Sequence, residues 1–232
     1  MKTFVKPLAA ASFVVSGLLA SAAGAETAPP PPYLMTGANT VTIAVTWDAD
    51  SLDGLLPDGV EPADDLSGGL NVYDAEGGFG LTPYSAAYAY INVKGFDSAI
   101  GAPARYIIGG WYGPDPKVAA AMNTHFNAGV GTGDANQSGS GDTWTGTGGD
   151  GTGSITIVIK PGSECGPAAG TLNYVGTTGE AGLKIPFTGS FCGGEAVSVD
   201  IQGAEGSALA QVKVDQILGG GRLLDGIFTF AD

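Results

Sequence analysis

His125 is the single histidine of this sequence and the residue with the most versatile side-chain chemistry. Histidine is the residue type whose ordinary charge change falls closest to neutral pH, so it could act as an acid, a base or a metal ligand. A zinc site would need ligands that a chain with one histidine and two cysteines barely has. A lone histidine on an apolar helix face is more often a packing residue, and we favour that interpretation over a catalytic role.

Three aspartates, Asp134, Asp142 and Asp150, lie in a stretch made largely of Gly, Thr and Ser between residues 129 and 153. Their spacing resembles the repeats of calcium-binding β-rolls, so they are weak candidates for calcium ligands. Those repeats require a strict Gly-Gly-x-Gly-x-Asp period, which this stretch does not keep. The interpretation we favour is a flexible glycine-rich hairpin or lid, polar on both faces, in which Trp144 could cap a ligand.

Aromatic side chains are concentrated on two neighbouring candidate strands. Tyr88 and Tyr90 share one strand face, whereas Ala87, Ala89 and Ile91 share the other. An ordinary aromatic core explains them adequately, and the functional alternative is a ligand pocket lined by aromatic rings. The candidate pocket residues are Tyr84, Tyr88, Tyr90, Trp111, Trp144 and His125, with Tyr112 on the same strand as Trp111.

Cys165 and Cys192 are the two cysteines of the chain. In an oxidising compartment an isolated pair is more often a disulfide than two free thiols. The pair lacks a Cys-x-x-Cys spacing, which disfavours a metal or redox site. We therefore predict a Cys165–Cys192 disulfide and no cofactor.

The first 25 residues have the pattern of a cleavable signal peptide. Lys2 and Lys6 supply positive charge, residues 8–22 form a short apolar run, and 23–25 read Ala-Gly-Ala. The run is shorter than the roughly 20 apolar residues of a membrane-spanning helix, which favours cleavage over anchoring. The sequence therefore predicts cleavage after about Ala25 and export to the periplasm or the extracellular medium.

Composition restricts the classes of partner. Nine Lys and Arg against 23 Asp and Glu give a net charge of −14, or −16 without Lys2 and Lys6. Such an acidic surface repels nucleic acid and anionic lipid, so we expect neither as a partner. A small organic ligand is the expected partner, and a homo-oligomer stays open.

Apolar alternation and turn residues predict a mainly β fold, a barrel or sandwich with a few short helices. Residues 26–39 contain four consecutive prolines and predict an extended arm before a single domain of residues 40–232. Helices are expected at 48–56 and from Asp115-Pro116, an N-cap followed by proline at the first helical position. Strands are expected at 40–47, 70–73, 84–93, 105–112, 154–160, 170–175, 182–192, 196–202, 208–218 and 227–231.

Three segments together resemble the acetoacetate decarboxylase family. They read VTWDADSLDGLLPDGVEP (45–62), ARYIIGGWYGPDPKVAAAMNTHFNAGVG (104–131) and VDQILGGGRLLDGIFT (214–229). The resemblance rests on their order and spacing and covers most of residues 40–131 and the last twenty residues. It implies a decarboxylase-like β-barrel and, in the family, a lysine that forms a Schiff base with a keto acid.

The charged residues that the family uses for this chemistry are missing at the positions that the resemblance assigns. Its lysine pair falls at Gly129 and Val130, and its helix Arg-Glu pair at Met122 and Asn123. Its glutamates fall near Asn71 and Tyr84 or Ser85, and no arginine precedes Thr40. The resemblance therefore implies the scaffold without the family's charged catalytic residues.

A relocated lysine is the alternative that keeps the family's reaction. Beyond the leader the lysines are Lys94, Lys117, Lys160, Lys184 and Lys213, and none has a basic neighbour to lower its pKa. Lys94 and His125 are retained as the catalytic candidates. No nucleophile elbow, phosphate loop or dinucleotide fingerprint is present.

Taken together, these patterns predict an exported acetoacetate decarboxylase-like protein. It would bind a small organic molecule in its barrel cavity, or act on one without a Schiff base. The two alternatives are a decarboxylase using a relocated lysine and a non-catalytic structural or calcium-binding surface protein.

Overall fold

The computed structural model describes residues 29–231, and strands make up most of that range. The mainly β prediction is therefore confirmed, whereas the proposed signal peptide lies outside the described residues. Neither helix in the described range is long and apolar enough to cross a membrane. The strands are β1 (Tyr33–Trp47), β2 (Ser67–Phe79), β3 (Tyr84–Val93), β4 (Ala104–Gly113), β5 (Gly131–Thr132), β6 (Asp134–Ser140), β7 (Thr143–Gly149), β8 (Ser154–Val175), β9 (Ala181–Gln202) and β10 (Val214–Phe230).

Seven of these strands close into a barrel. Antiparallel neighbours follow in the order β4-β3-β2-β1-β10-β9-β8, and β8 then pairs back onto β4 in parallel. The strands β7 and β6 continue the sheet from β8 and fold over the outside of the barrel. The two longest strands, β8 and β9, therefore contribute both to the barrel and to the part of the sheet that extends over its outside.

The pleat of the strands separates two cores. Alternate residues of β3 point into the barrel (Tyr84, Tyr88, Tyr90) or outward (Ala87, Ala89, Ile91), as the sequence predicts. The inward residues join what we call the barrel core, which includes Tyr73, Tyr112, Phe228 and Phe230. The outward residues join the outer core, which includes Val41, Ile43, Val72, Ile155, Ile157 and Ile159.

Helix α1 (Pro116–Phe126) begins where the sequence predicts. The side chain of Asp115 accepts a hydrogen bond from the backbone N–H of Lys117 at 3.0 Å, which satisfies one of the free donors of the first turn. Val118, Met122 and Phe126 form its buried face. The helix ends at Asn127, whose φ of 50° is left-handed, and this reversal directs the chain toward residue 129.

Two predicted boundaries are wrong. Residues 26–39 were expected to form an arm outside the domain, but β1 begins at Tyr33, which is buried and pairs with Phe230 of β10. The glycine-rich stretch 129–153, predicted as a flexible hairpin or lid, does contain a hairpin of β6 and β7, but these strands and β5 belong to the sheet of the domain. Its glycines are needed for close packing, since a Cβ added to Gly148 would lie 2.4 Å from the Cβ of Ala87.

Other differences concern where elements end. The helix expected at 48–56 is only a 3-10 turn over Ala49–Leu52. The strands expected at 154–160 and 170–175 join into β8 through a bulge near Pro161. The first residues of the strand expected at 208–218 form α2 (Ala208–Gln211), because the Ser207 side chain caps a helical turn there.

The predicted disulfide between Cys165 and Cys192 is confirmed. The two cysteines are directly paired neighbours on β8 and β9, with their Cα atoms 4.1 Å apart. The bond therefore ties together two strands of the barrel wall at the end away from the β4–β8 pairing.

Candidate functional site

The seam of the barrel, which is the pairing of β4 with β8, places two polar side chains next to each other. Strands β4 and β8 pair over only two residue positions, and Arg105 is the partner of Tyr174 in one of them. Because paired residues on adjacent strands project to the same face, both side chains reach the barrel interior. The step that closes the barrel thus also assembles the polar end of its cavity.

Arg105 is held by aromatic rings. Its guanidinium carbon lies 4.2 Å from the centroid of the Tyr90 ring, a cation–π arrangement. Burial acts to lower the pKa of Arg105, but the surrounding Tyr90, Tyr174 and Tyr88 outweigh it and the pKa lies above its ordinary value. Arg105 is therefore a permanent cation and a donor of several hydrogen bonds.

A chain of hydrogen bonds leads to this cation from the opposite wall. The Nδ2 of Asn71 donates to the Tyr88 hydroxyl at 2.8 Å, and the Tyr88 and Tyr174 hydroxyls lie 2.8 Å apart. Either hydroxyl can be the donor in the Tyr88–Tyr174 bond, which uses one of their two protons. The other proton is available to a further acceptor in the cavity.

The other tyrosines of the barrel core are kept neutral. Burial raises the pKa of Tyr73, Tyr88 and Tyr112 well above its ordinary value. Tyr88 stacks on Tyr112 with ring centroids 6.0 Å apart, and the Tyr73 hydroxyl donates to that of Tyr84 at 3.3 Å. These phenols are hydrogen-bond donors at neutral pH and are unsuited to act as bases.

These groups line a cavity of about 160 Å³ inside the barrel. The polar end consists of Arg105, Tyr174, Tyr88 and Asn71, and Thr40 and Thr42 add hydroxyls on β1. The remaining wall is apolar. It includes Leu172, Ile185, Phe187, Phe191, Leu223 and Phe228. Among the described residues that line it, Arg105 is the one with a charge.

The segment that the resemblance assigns to the catalytic lysines has a different construction here. Gly129 has a φ of +66°, and a Cβ added there would lie 2.6 Å from Cγ2 of Thr177. Val130 is buried, and both of its backbone polar groups bond the Asn123 side chain, at 2.8 and 2.9 Å. The segment is therefore shaped for small and apolar residues.

The lysines of the described range lie away from the cavity, and none of them lines it. The Lys94 ammonium contacts Asp64 at 2.6 Å and Glu61 at 3.7 Å, Lys117 pairs with Asp115, and Lys160 pairs with Asp142. Lys184 and Lys213 are exposed. The structure thus places the catalytic candidate Lys94 in a surface ion-pair cluster.

His125 also lies outside the cavity. Its ring makes edge contacts with Tyr33 and Phe126, with centroids 6.4 and 6.3 Å away. Both partners belong to the barrel core beneath α1. The arrangement is that of a packing residue at the end of the helix.

The two tryptophans proposed for the pocket lie on the outer face of the barrel wall. Trp111 belongs to the outer core, because an irregularity at Ile108, between Ile107 and Gly109, shifts the alternation of β4. Trp144 lies under the guanidinium of Arg222, 3.5 Å from its centre, and its Nε1 donates to Gln137 at 3.2 Å. Both rings therefore help to hold β6 and β7 against the barrel.

The three aspartates considered for calcium are not brought together. Asp134 accepts from the Ser85 hydroxyl at 2.9 Å, Asp142 pairs with Lys160, and Asp150 accepts from its own turn at Thr152 and Gly153. Within residues 29–231 no group of three or more His, Cys, Asp or Glu side chains is positioned to hold a metal ion.

Sequence reasoning found Tyr88 and missed most of the cavity. Arg105, Asn71, Tyr73 and Tyr174 line it, whereas Tyr90 holds Arg105 from behind. The signal for Arg105 was present, since it is one of only two arginines and begins an otherwise apolar strand. Tyr174 gave no such signal, because its place depends on the pairing of β8 with β4.

Comparison with solved structures identifies the fold of this protein, whereas comparison of sequences gives no match. No sequence profile of a known family matches this chain. No curated protein matches it in sequence either.

Solved structures, in contrast, match over most of its length. An acetoacetate decarboxylase from Legionella pneumophila superposes with a TM-score of 0.62 at 13% identity, covering 87% of this chain and 86% of its own. The enduracididine biosynthesis enzyme MppR, solved in complex with pyruvate, gives 0.59 at 14% identity, covering 95% and 96%. An acetoacetate decarboxylase-like enzyme from Sphingomonas wittichii RW1 gives 0.59 at 14%, covering 88% and 91%. This chain therefore has the fold of the acetoacetate decarboxylase-like enzymes.

Proposed function

We propose that this protein binds a small organic carboxylate in the barrel cavity, with Arg105 and Tyr174 holding the carboxylate group. The observation that carries the proposal is a permanent cation in a lining to which no described Asp or Glu contributes. A guanidinium matches a carboxylate with two parallel N–H donors. An anionic ligand would thus supply the charge partner that the cavity wall does not.

The supply of hydrogen-bond donors supports an anion rather than a cation. Asn71 donates to Tyr88, the Tyr88 and Tyr174 hydroxyls share one hydrogen bond, and the second hydroxyl proton of that pair stays available for an acceptor in the cavity. Neutral tyrosines and an arginine together present donors, and a carboxylate presents only acceptors. The structural neighbour MppR was solved with pyruvate, which is itself a small carboxylate.

The proposed activity does not pass through a Schiff base. Gly129 and Val130 stand where the resemblance places the reactive lysines, and the lysines of the described range lie outside the cavity. Incubation with acetoacetate and borohydride, followed by mass spectrometry of the intact protein, tests this point. We expect no adduct, and a covalent adduct on any lysine would restore the decarboxylase alternative.

Titration calorimetry with hexanoate and its neutral isostere hexanamide tests the binding site. We expect hexanoate to bind more tightly, and Arg105→Gln to weaken hexanoate about 10- to 100-fold because a charged hydrogen-bonded pair is lost. Arg105→Lys keeps the charge without the two-pronged geometry and should fall between the two. Equal binding of both compounds, or an unchanged hexanoate affinity in Arg105→Gln, would contradict the proposal.

We further propose that the protein is exported, with residues 1–25 removed. The charged and apolar pattern of the leader supports this, as does the Cys165–Cys192 bond, because disulfides persist in oxidising compartments. Expression with the native leader, followed by fractionation and N-terminal sequencing, tests it. Intact protein retained in the cytoplasm would contradict export.

A further inference from the structure

The cavity wall changes character along the β8–β9 hairpin. Moving along β8 away from Arg105, the residues that face the cavity side are Tyr174, Leu172, Gly170 and Gly166. On β9, Ile185 is paired with Leu172, Phe187 with Gly170, and Phe191 with Gly166. This stripe therefore runs from the cation to an aromatic end, and Arg105 and Phe191 line the same cavity.

Each phenylalanine of the stripe lies opposite a glycine. A Cβ added to Gly170 would lie 3.0 Å from the ring of Phe187, so the ring uses the space that glycine leaves. Phe187 also stacks on Phe228 with ring centroids 5.7 Å apart. The result is a smooth apolar wall with no polar side chain beyond Tyr174 along this hairpin face.

The apolar end reaches the surface. Phe191 lines the cavity and is 39% exposed, which places an opening beside it. Ile100 is 73% exposed and approaches the same hairpin at Gly170, where its Cδ1 lies 3.8 Å from the Cβ position of that glycine. An apolar side chain that is exposed at a cavity opening marks a place where apolar matter binds.

We propose that the ligand is an amphiphilic monocarboxylate whose apolar tail lies along Phe187 and leaves the cavity past Phe191. This inference rests on the proposed function, because it assumes a carboxylate at Arg105. A cavity of about 160 Å³ is close to the size that holds one benzene molecule. The cavity therefore encloses about six heavy atoms of the ligand, the carboxylate group included, and a longer tail continues past Phe191.

A homologous series of straight-chain carboxylates tests the tail. Titration calorimetry with butanoate, hexanoate, octanoate and decanoate should show affinity rising up to about fourfold per methylene, the gain expected for burying one methylene group. The gain should diminish beyond about four to six carbons, where the chain leaves the enclosed part of the cavity. An affinity that does not depend on chain length would overturn the inference.

Two phenylalanine variants locate the tail. Phe191→Ala should weaken decanoate by about tenfold and leave butanoate within twofold, because only the longer chain reaches that ring. Phe79→Ala is the matched control, since Phe79 is 66% exposed and does not line the cavity. Equal effects of the two variants on decanoate would also overturn the inference.

The outcomes separate this inference from the proposed function. Carboxylates that bind through Arg105 with no chain-length dependence refute the tail alone. Alkanols and alkanoates of equal length that bind equally well, with no effect of Arg105→Gln, refute the carboxylate site and the inference with it. Absence of binding by every member of the series refutes both.

Discussion

The two faces of the barrel wall are built from different residues. The outer core is mostly aliphatic, with Trp47 and Trp111 as its buried aromatic residues, and Val41, Ile43, Ile155 and Ile157 are completely buried there. The barrel core is aromatic and polar, with tyrosine hydroxyls hydrogen-bonded to one another around a cavity. The same strands contribute to both, because alternate residues of each strand point to opposite faces.

This difference divides stability and binding between the faces. A close-packed aliphatic layer provides most free energy per residue, since each buried methylene contributes about 0.8 kcal/mol. A cavity gives up packing contacts and obliges polar groups to find partners. We therefore expect substitutions in the outer core to change stability and those in the barrel core to change binding.

The largest expected effect is that of Ile157→Ala. Ile157 is fully buried between β7 and β9, whose backbone pairing keeps the site from collapsing around the missing atoms. We expect the free energy of unfolding to fall by about 4 kcal/mol in chemical denaturation, and Ile157→Val to lose about 1 kcal/mol. A changed ligand affinity at unchanged stability would break the proposed division.

Adding a side-chain carbon to the closely packed outer core should lower the free energy of unfolding by about half as much as Ile157→Ala does. In Gly148→Ala the added carbon would lie 2.4 Å from the Cβ of Ala87, so β7 must shift away from the barrel. We expect a loss of about 2 kcal/mol in the free energy of unfolding. The matched control is Gly166→Ala on β8, where nothing lies within 4 Å, and it should change stability by less than about 0.5 kcal/mol.

In the barrel core, Leu172→Ala should cost less than Ile157→Ala. Leu172 is half-buried and borders an existing cavity, so the deletion enlarges a space instead of creating one. We expect a loss of about 1.5 kcal/mol in stability, below the range for fully buried leucines, together with a measurable change in hexanoate affinity. A loss as large as that of Ile157→Ala would show that the two faces are packed alike.

The smallest expected effect is electrostatic and belongs to the turn that leads into β8. Burial acts to raise the pKa of Asp150, but hydrogen bonds from Thr152 and Gly153 outweigh it and lower the pKa from 3.8 to about 2. The ionised carboxylate therefore stabilises the fold above pH 4, and this contribution is lost as the pH falls toward 2. Asp150 is exposed, so solvent screens the effect.

Asp150→Ala should accordingly lower the free energy of unfolding by less than about 1 kcal/mol at pH 7. The difference from the native protein should shrink between pH 4 and pH 2, as measured by urea denaturation at each pH. A difference that stays constant across this range would show that the turn depends on the residue and not on its charge.

Local patterns predicted the elements well and the site poorly. The strand of Tyr84–Val93 and the start of α1 follow from alternation and from the Asp-Pro cap, which are properties of neighbouring residues. Arg105 and Tyr174 are 69 positions apart, and their proximity depends on the β4–β8 seam, which no local pattern encodes. The irregularity at Ile108 turns Trp111 to the outer face of the barrel wall, which local alternation does not reveal.

The predictions for residues 26–39 and 129–153 differ from the structure for a related reason. Proline and glycine are read as markers of extended or flexible chain, but here they serve packing. Gly146 and Gly148 let β7 approach Val72 and Ala87 closely, and Tyr33 begins a strand directly after four prolines. The partner surface that makes these residues useful is distant in sequence, so composition alone could not reveal it.

Gly129 has a consequence for any attempt to engineer the decarboxylase reaction into this scaffold. Its left-handed backbone disfavours every L-residue, and a side chain there would meet Thr177, so a lysine introduced alone would be strained and crowded. Its neighbour Val130 is fixed by the paired hydrogen bonds from Asn123. Introducing a reactive lysine there thus requires several simultaneous changes, at Gly129, at Thr177 and at the Asn123–Val130 contact.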